Sequence, residues 1–262
     1  MTDLPGASLA SLEQLQELGV LPAACRSVYI SGSLVRGWGN ALSDVDIYVI
    51  TEEDYRSETA VYVQVPLEPD TLPVEIKYVD GRRWDIEYWR ADQVQQVISK
   101  VDWSVLEGTQ EVGRRLSTDE LDFLERLSYA YPLAGADWLG SHQKQLADSG
   151  LRSVMVARAL NSVDTYTQDV VGQLEAGDVE SSVLSVKIAF GYAMDALLAF
   201  EGEYGQNAKW RARRFRTADP TIVTFDQYWA IETMQSFDPS APRAWVEEAL
   251  RLCQHVSMEV SV

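Results

Sequence analysis

The spacing of apolar residues changes period once along this chain, near residue 116, and the change restricts what the chain can become. Before it, β-branched and aromatic residues come in short runs: SVYIS at 27–31, DVDIYVI at 44–50, AVYVQV at 60–65, VEIKYV at 74–79 and RRWDIEYW at 82–89. The last two runs flank Asp80-Gly81, a pair suited to the positive φ angles of a two-residue hairpin turn. Helical patterns stand at either end of this set, SLASLEQLQEL before the first run and ADQVQQVISKV after the last. From Ser117 onward the pattern is helical. STDELDFLERL opens as a capping box, with Glu120 three residues after Ser117. Apolar residues then recur at three- and four-residue steps up to Gly177, again up to Gly202, and over 225–235 and 242–259. The expectation is an α+β chain: residues 1–116 form a mixed sheet with flanking helices, and residues 117–262 form an all-α bundle joined by short turns.

Composition excludes several functional classes. Apolar residues make up 46% of the 262, enough for a packed core. Forty acidic against 22 basic residues give a net charge of −18, which repels phosphate backbones and argues against an extended nucleic-acid track. Two cysteines, Cys25 and Cys253, and two histidines, His142 and His255, cannot supply a disulfide framework, a zinc site or a Ser-His-Asp triad; the histidines are expected to be structural or exposed. The first residues lack a basic leader and no long uninterrupted apolar run follows, so the expected location is the cytoplasm, with no membrane partner.

Chemistry concentrates in VYISGSLVRGWGNALSDVDIYVI, residues 28–50. A buried strand ends at Ile30, the chain turns through Ser31-Gly32-Ser33, and a second strand opens with Asp44-Val45-Asp46. Strand residues two apart share a side, so Asp44 and Asp46 face one way while Val45, Ile47 and Val49 enter the core. Adjacent carboxylates repel unless a cation bridges them, and an oxygen-only ligand set suits Mg²⁺ or Mn²⁺. Gly32 permits a close backbone approach, and Ser33 offers a hydroxyl and an N–H to a phosphate. A P-loop is excluded, because GSLVRGWG lacks the Lys-Ser/Thr pair.

This Gly-Ser turn followed by D-x-D on the next strand resembles the signature of the DNA polymerase β-like nucleotidyltransferase superfamily. The layout of one minimal catalytic domain plus a helical C-terminal domain is most similar to the aminoglycoside nucleotidyltransferase type. The resemblance implies a third acid on a later strand. Both Asp85 and Glu87 of RRWDIEYW have the required hydrophobic-acid-hydrophobic setting; Asp85 is favoured because it lies earlier in its strand, and Glu75 is a weaker candidate. It further implies two Mg²⁺ ions held by Asp44, Asp46 and Asp85, with ATP or another nucleoside triphosphate held at its phosphates by Gly32 and Ser33. The reaction implied is transfer of a nucleoside monophosphate, AMP from ATP, to a hydroxyl of a small molecule such as an aminoglycoside or a related natural product, with loss of pyrophosphate; the net charge of −18 supports a cationic acceptor. Transfer to tRNA or protein, and nucleotide binding without catalysis, are the alternative readings. Lys187, alone among apolar residues, and Lys209, in the basic run 209–216, are candidate phosphate ligands. Trp210 and Trp229 are expected in the core, whereas Trp38, between Ser33 and Asp44, is harder to assign there.

Overall fold

The computed structural model describes residues 9–106 and 116–261, in two compact units that divide between Ser149 and Gly150. The ends of the expected first domain at 1–8 and 107–115 lie outside the described residues.

In the first unit, helix α1 (Leu12–Glu17) starts at Ser11, whose side chain and that of Gln14 cap each other's backbone N–H groups. Strand β1 (Ser27–Ser31) leads into the single turn of α2 (Gly32–Val35), and β2 (Val45–Thr51) returns antiparallel to β1. Strands β3 (Val61–Gln64), β4 (Thr71–Val79) and β5 (Arg82–Arg90) follow as an antiparallel set. Asp80 and Gly81 join β4 to β5 with φ of 50° and 77°, the left-handed pair that the Asp-Gly sequence predicts. Helices α3 (Ala91–Ser99), α4 (Trp103–Leu106), α5 (Thr118–Ser128) and α6 (Ala136–Ala147) complete the unit, with strand β6 (Tyr131–Ala134) between the last two. The sheet order is β3-β4-β5-β2-β1-β6, and β2 and β5 run parallel.

Strand β6 moves the domain boundary. The sequence reading ends the sheet-bearing part at 116, but β6 pairs antiparallel with β1, so the chain through Ser149 belongs with the sheet. Four half-buried residues, one of them Pro132, form an edge strand that has no clear period of its own. The capping box at Ser117 is present as expected, with Ser117 Oγ accepting from the Glu120 N–H and Glu120 Oε2 from the Ser117 N–H.

Alternation gives the sheet two different faces. Val28, Ile30, Val45, Ile47, Val49, Trp84, Ile86 and Tyr88 cluster on one face with Leu15 and Val20, from α1 and the segment after it. Burying each such side chain contributes about 1.5–3 kcal/mol. Tyr29, Asp46, Tyr48, Asp85, Glu87 and Trp89 are on the other face, which α5 covers: Phe123 stacks on Trp89 with ring centroids 3.9 Å apart and meets Tyr48 edge-on at 6.2 Å.

The second unit is helical as expected: α7 (Leu151–Glu175), α8 (Val179–Phe200), a 3₁₀ turn (Ala208–Trp210), α9 (Arg211–Ala218), α10 (Phe225–Glu232) and α11 (Pro242–Glu259). Helix α8 is central, packing against both α7 and α11. Its length and mean hydropathy of 1.6 would suffice to cross a membrane, but 56% of that stretch is buried inside the protein. Trp229 is not a core residue: it is 41% exposed and stacks on Phe225 at 5.8 Å. Trp210 is half-buried. Both cysteines are free.

Candidate active site

The parallel pairing of β2 with β5 builds the site. Asp46 and Asp85 are directly opposite in the ladder, as are Tyr48 and Glu87, so all four side chains emerge on the face covered by α5. On the other flank of β2, Ser31 is opposite Asp46. Asp44 lies one residue before β2 begins. Glu75 stands opposite Ile86, which places it on the reverse face. There it is buried and accepts from Tyr55 Oη at 3.2 Å, Thr59 Oγ1 at 2.8 Å and Lys77 Nζ at 2.7 Å. The weaker sequence candidate for a third acid is therefore a structural residue.

Charge is crowded around Asp46. Burial raises its pKa, the Arg126 charge and hydrogen bond draw it back, and the neighbouring Asp85 and Asp44 push it up again. Glu87 Oε2 accepts from Trp89 Nε1 at 2.8 Å. Burial, opposed by that bond and reinforced by the Asp46 charge, pushes the Glu87 carboxyl up to about 7. The candidates Asp44, Asp46, Asp85 and Glu87 thus share one electrostatic site.

A residue that sequence reasoning missed completes it. Arg126, in the last turn of α5, donates from Nη1 to Asp46 Oδ2 at 2.6 Å across 80 positions of sequence. A lone arginine in an acid-rich helix gives no sign of so distant a partner. The two residues also account for Gly32, whose φ is +83°: a Cβ there would lie 2.0 Å from Asp46 Oδ2 and 2.2 Å from Arg126 Nη1. Ser31, which precedes it, donates to the backbone carbonyl of Arg126 at 2.6 Å. Ser33 lies in the first turn of α2, its carbonyl accepting from the N–H groups of Trp38 and Gly39 at 2.8 and 3.0 Å. Trp38 finds its place against Arg36, whose guanidinium lies 3.7 Å over the Trp38 ring and 3.8 Å over that of Tyr129.

The donor set suits a hard divalent cation in kind, since Asp46 of β2, Asp44 just before it and Asp85 of β5 are all carboxylates. In the arrangement observed, Asp46 and Asp85 are each held by an arginine: Arg126 on Asp46, and Arg83, whose Nε donates to Asp85 Oδ1 at 2.7 Å. Among the described residues, no three acidic, histidine or cysteine side chains are gathered closely enough to hold an ion. Guanidinium groups are the countercharges of Asp46 and Asp85.

Beside Asp46 a pocket opens, lined by Tyr48, Glu87, Trp89, Phe123 and Arg126 together with Asp119, Glu120 and Asp122 of α5 and the apolar Leu67, Leu72 and Val74. Its walls carry five acids and one arginine.

The remaining candidates lie in the second unit. Lys187 is on α8, and Lys209 Nζ sits 5.5 Å over the Trp210 ring. Most of the basic run is used internally: Arg211 and Arg214 both bind the Asp195 carboxylate at 2.8–3.0 Å, and Arg216 lies 3.7 Å over Phe225. His142 stacks on Trp138 at 3.8 Å, and His255 is exposed.

No family model and no curated protein matches the sequence. Among solved structures the chain is similar to a nucleotidyltransferase-like protein from Exiguobacterium sibiricum 255-15, with a TM-score of 0.51 and 12% sequence identity over 97% of this chain and 75% of that one. At that identity the likeness concerns the fold: a six-stranded mixed sheet with helices, followed by a helical region, in a nucleotidyltransferase-like α+β architecture.

Proposed function

We propose that the chain is a Mg²⁺-dependent nucleotidyltransferase, of the type that aminoglycoside nucleotidyltransferases represent. It would transfer AMP from ATP to a hydroxyl of a small cationic acceptor. The observation that carries this reading is the register of β2 on β5, which sets Asp85 beside Asp46 next to the Gly32-Ser33 turn and the acid-lined pocket. Asp44, Asp46 and Asp85 would hold the metal, which when bound supplies charge neutralisation at the phosphates and acidifies the attacking hydroxyl. The Gly32-Ser33 turn receives the β- and γ-phosphates. The acceptor oxygen bonds to the α-phosphorus as the bond from that phosphorus to the pyrophosphate oxygen breaks. Glu87, whose carboxyl lies beside Asp46 on the same face, would take the acceptor's proton. Asp119 and Asp122 in the pocket wall favour an acceptor bearing aminium groups, and Trp89 and Phe123 offer it apolar contact.

The test is pyrophosphate release from MgATP with a panel of amino-alcohol acceptors. Turnover should fall by about 10³-fold or more in Asp46→Asn. It should fall further in Asp85→Asn than in Glu87→Gln, because Asp85 is the partner of Asp46 in the ladder. Activity that is indifferent to Asp46→Asn would overturn the assignment.

One observation favours a second reading, a nucleotide-binding module without catalysis: Asp46 and Asp85 are each already neutralised by an arginine. Calorimetry decides between the two. Nucleotide affinity that does not change with Mg²⁺ supports the module.

A further inference from the structure

Arg126 and Asp46 make an ion pair on the wall of the pocket, at 2.6 Å. Their side chains are 31% and 24% exposed, so the pair lies within reach of a ligand entering the pocket it lines. Helix α5 is docked without it, by the Phe123–Trp89 stack and by the hydrogen bond from Ser31 to the Arg126 carbonyl. Guanidinium keeps its proton at any working pH, so Asp46 is freed only when Arg126 moves. The pair also rests flush against the Gly32 backbone, which has no Cβ to keep it away. An anion on the Gly32-Ser33 turn would therefore meet Arg126 with little movement of α5.

We infer that Arg126 is an exchangeable countercharge: it neutralises Asp46 in the empty site, and passes to the phosphates of an incoming nucleotide as a divalent cation replaces it on Asp46. This rests on the nucleotidyltransferase reading above. It goes beyond that reading by assigning to one arginine the coupling between metal and nucleotide. Each ligand removes the obstacle to the other, so the two bind with positive cooperativity.

The exchange separates from a structural role because loss of Arg126 should move two affinities in opposite directions. Mn²⁺ binding to the protein without nucleotide is read by electron paramagnetic resonance, and binding of a non-hydrolysable ATP analogue in excess EDTA by calorimetry. In Arg126→Gln, Mn²⁺ should bind about tenfold more tightly and the metal-free nucleotide about tenfold more weakly. Adding Asp46→Asn should abolish the gain in Mn²⁺ affinity, which assigns it to that carboxylate. Arg126→Lys, which keeps a charge but loses the planar fork, should lie between wild type and Arg126→Gln for both ligands. It carries the test should circular dichroism show that the glutamine variant does not fold. Unchanged Mn²⁺ affinity, or weakening of both ligands together, overturns the exchange while leaving the transferase reading intact. A wild-type protein that binds no nucleotide with or without metal overturns that reading and the phosphate half of the exchange with it.

Discussion

Two glutamates one rung apart in the same hairpin have opposite fates. Glu75 on β4 and Glu87 on β5 project from opposite faces of the sheet, since Glu75 pairs with Ile86 and Glu87 with Val74. Glu75 loses water but receives Tyr55, Thr59 and Lys77. Against the pull of burial, hydrogen bonds from Lys77, Ser57 and Thr59 and the Lys77 charge hold its carboxyl at about 2. Glu87 receives one donor, the Trp89 indole, and faces Asp46 and Asp85; its carboxyl is pushed up to about 7. Desolvation acts on both acids. Several donors overcome that desolvation at Glu75, whereas at Glu87, with one side-chain donor and two neighbouring carboxylates, desolvation prevails.

This contrast can be broken by experiment. Asp46→Asn tests the crowded face most severely: the ~10³-fold loss of turnover should come with a stability change within about 1 kcal/mol, because the ion pair it alters is partly exposed. A loss of stability as large as that from removing Glu75 would erase the distinction. Gly32→Ala should cost about 3 kcal/mol in urea denaturation, since the new methyl meets the Asp46–Arg126 pair from a backbone with φ of +83°. Glu75→Gln, on the other face, should lose about 2 kcal/mol while nucleotide binding is unchanged. The pH dependence sharpens the same point. A carboxyl whose folded pKa of about 2 lies below its ordinary 4.5 stabilises the protein fully above pH 4.5, and the contribution disappears as pH falls from there through 2. Stability measured in steps over that range should converge for wild type and Glu75→Gln at the acid end.

The period-2 runs and the Asp80-Gly81 turn made most of the sheet readable from sequence, and the Gly-Ser turn with D-x-D made the acids of β2 readable too. Strand β6 was not legible, because four residues including a proline carry too little pattern and are defined by their pairing to β1. The choice among Glu75, Asp85 and Glu87 was only half legible. Alternation within β5 puts its two acids on one side, but which side Asp46 shares is fixed by the ladder between strands. Arg126 was out of reach altogether, as a contact spanning 80 positions leaves no local signature. Trp229 was misjudged because an aromatic at helical spacing looks alike whether it is inside or on the surface.

The parallel junction of β2 and β5 has an evolutionary consequence. Hydrogen bonds across the junction, rather than the length of chain between its two strands, keep Asp85 level with Asp46. The turn at 65–70, between β3 and β4, can therefore gain or lose residues and reshape the neighbouring wall while the carboxylates stay where they are. A slip of one position in β5 would be ruinous by comparison, putting Trp84 or Ile86 where an acid belongs. Changes in that turn would alter the pocket wall and leave the pairing of the two acids in place.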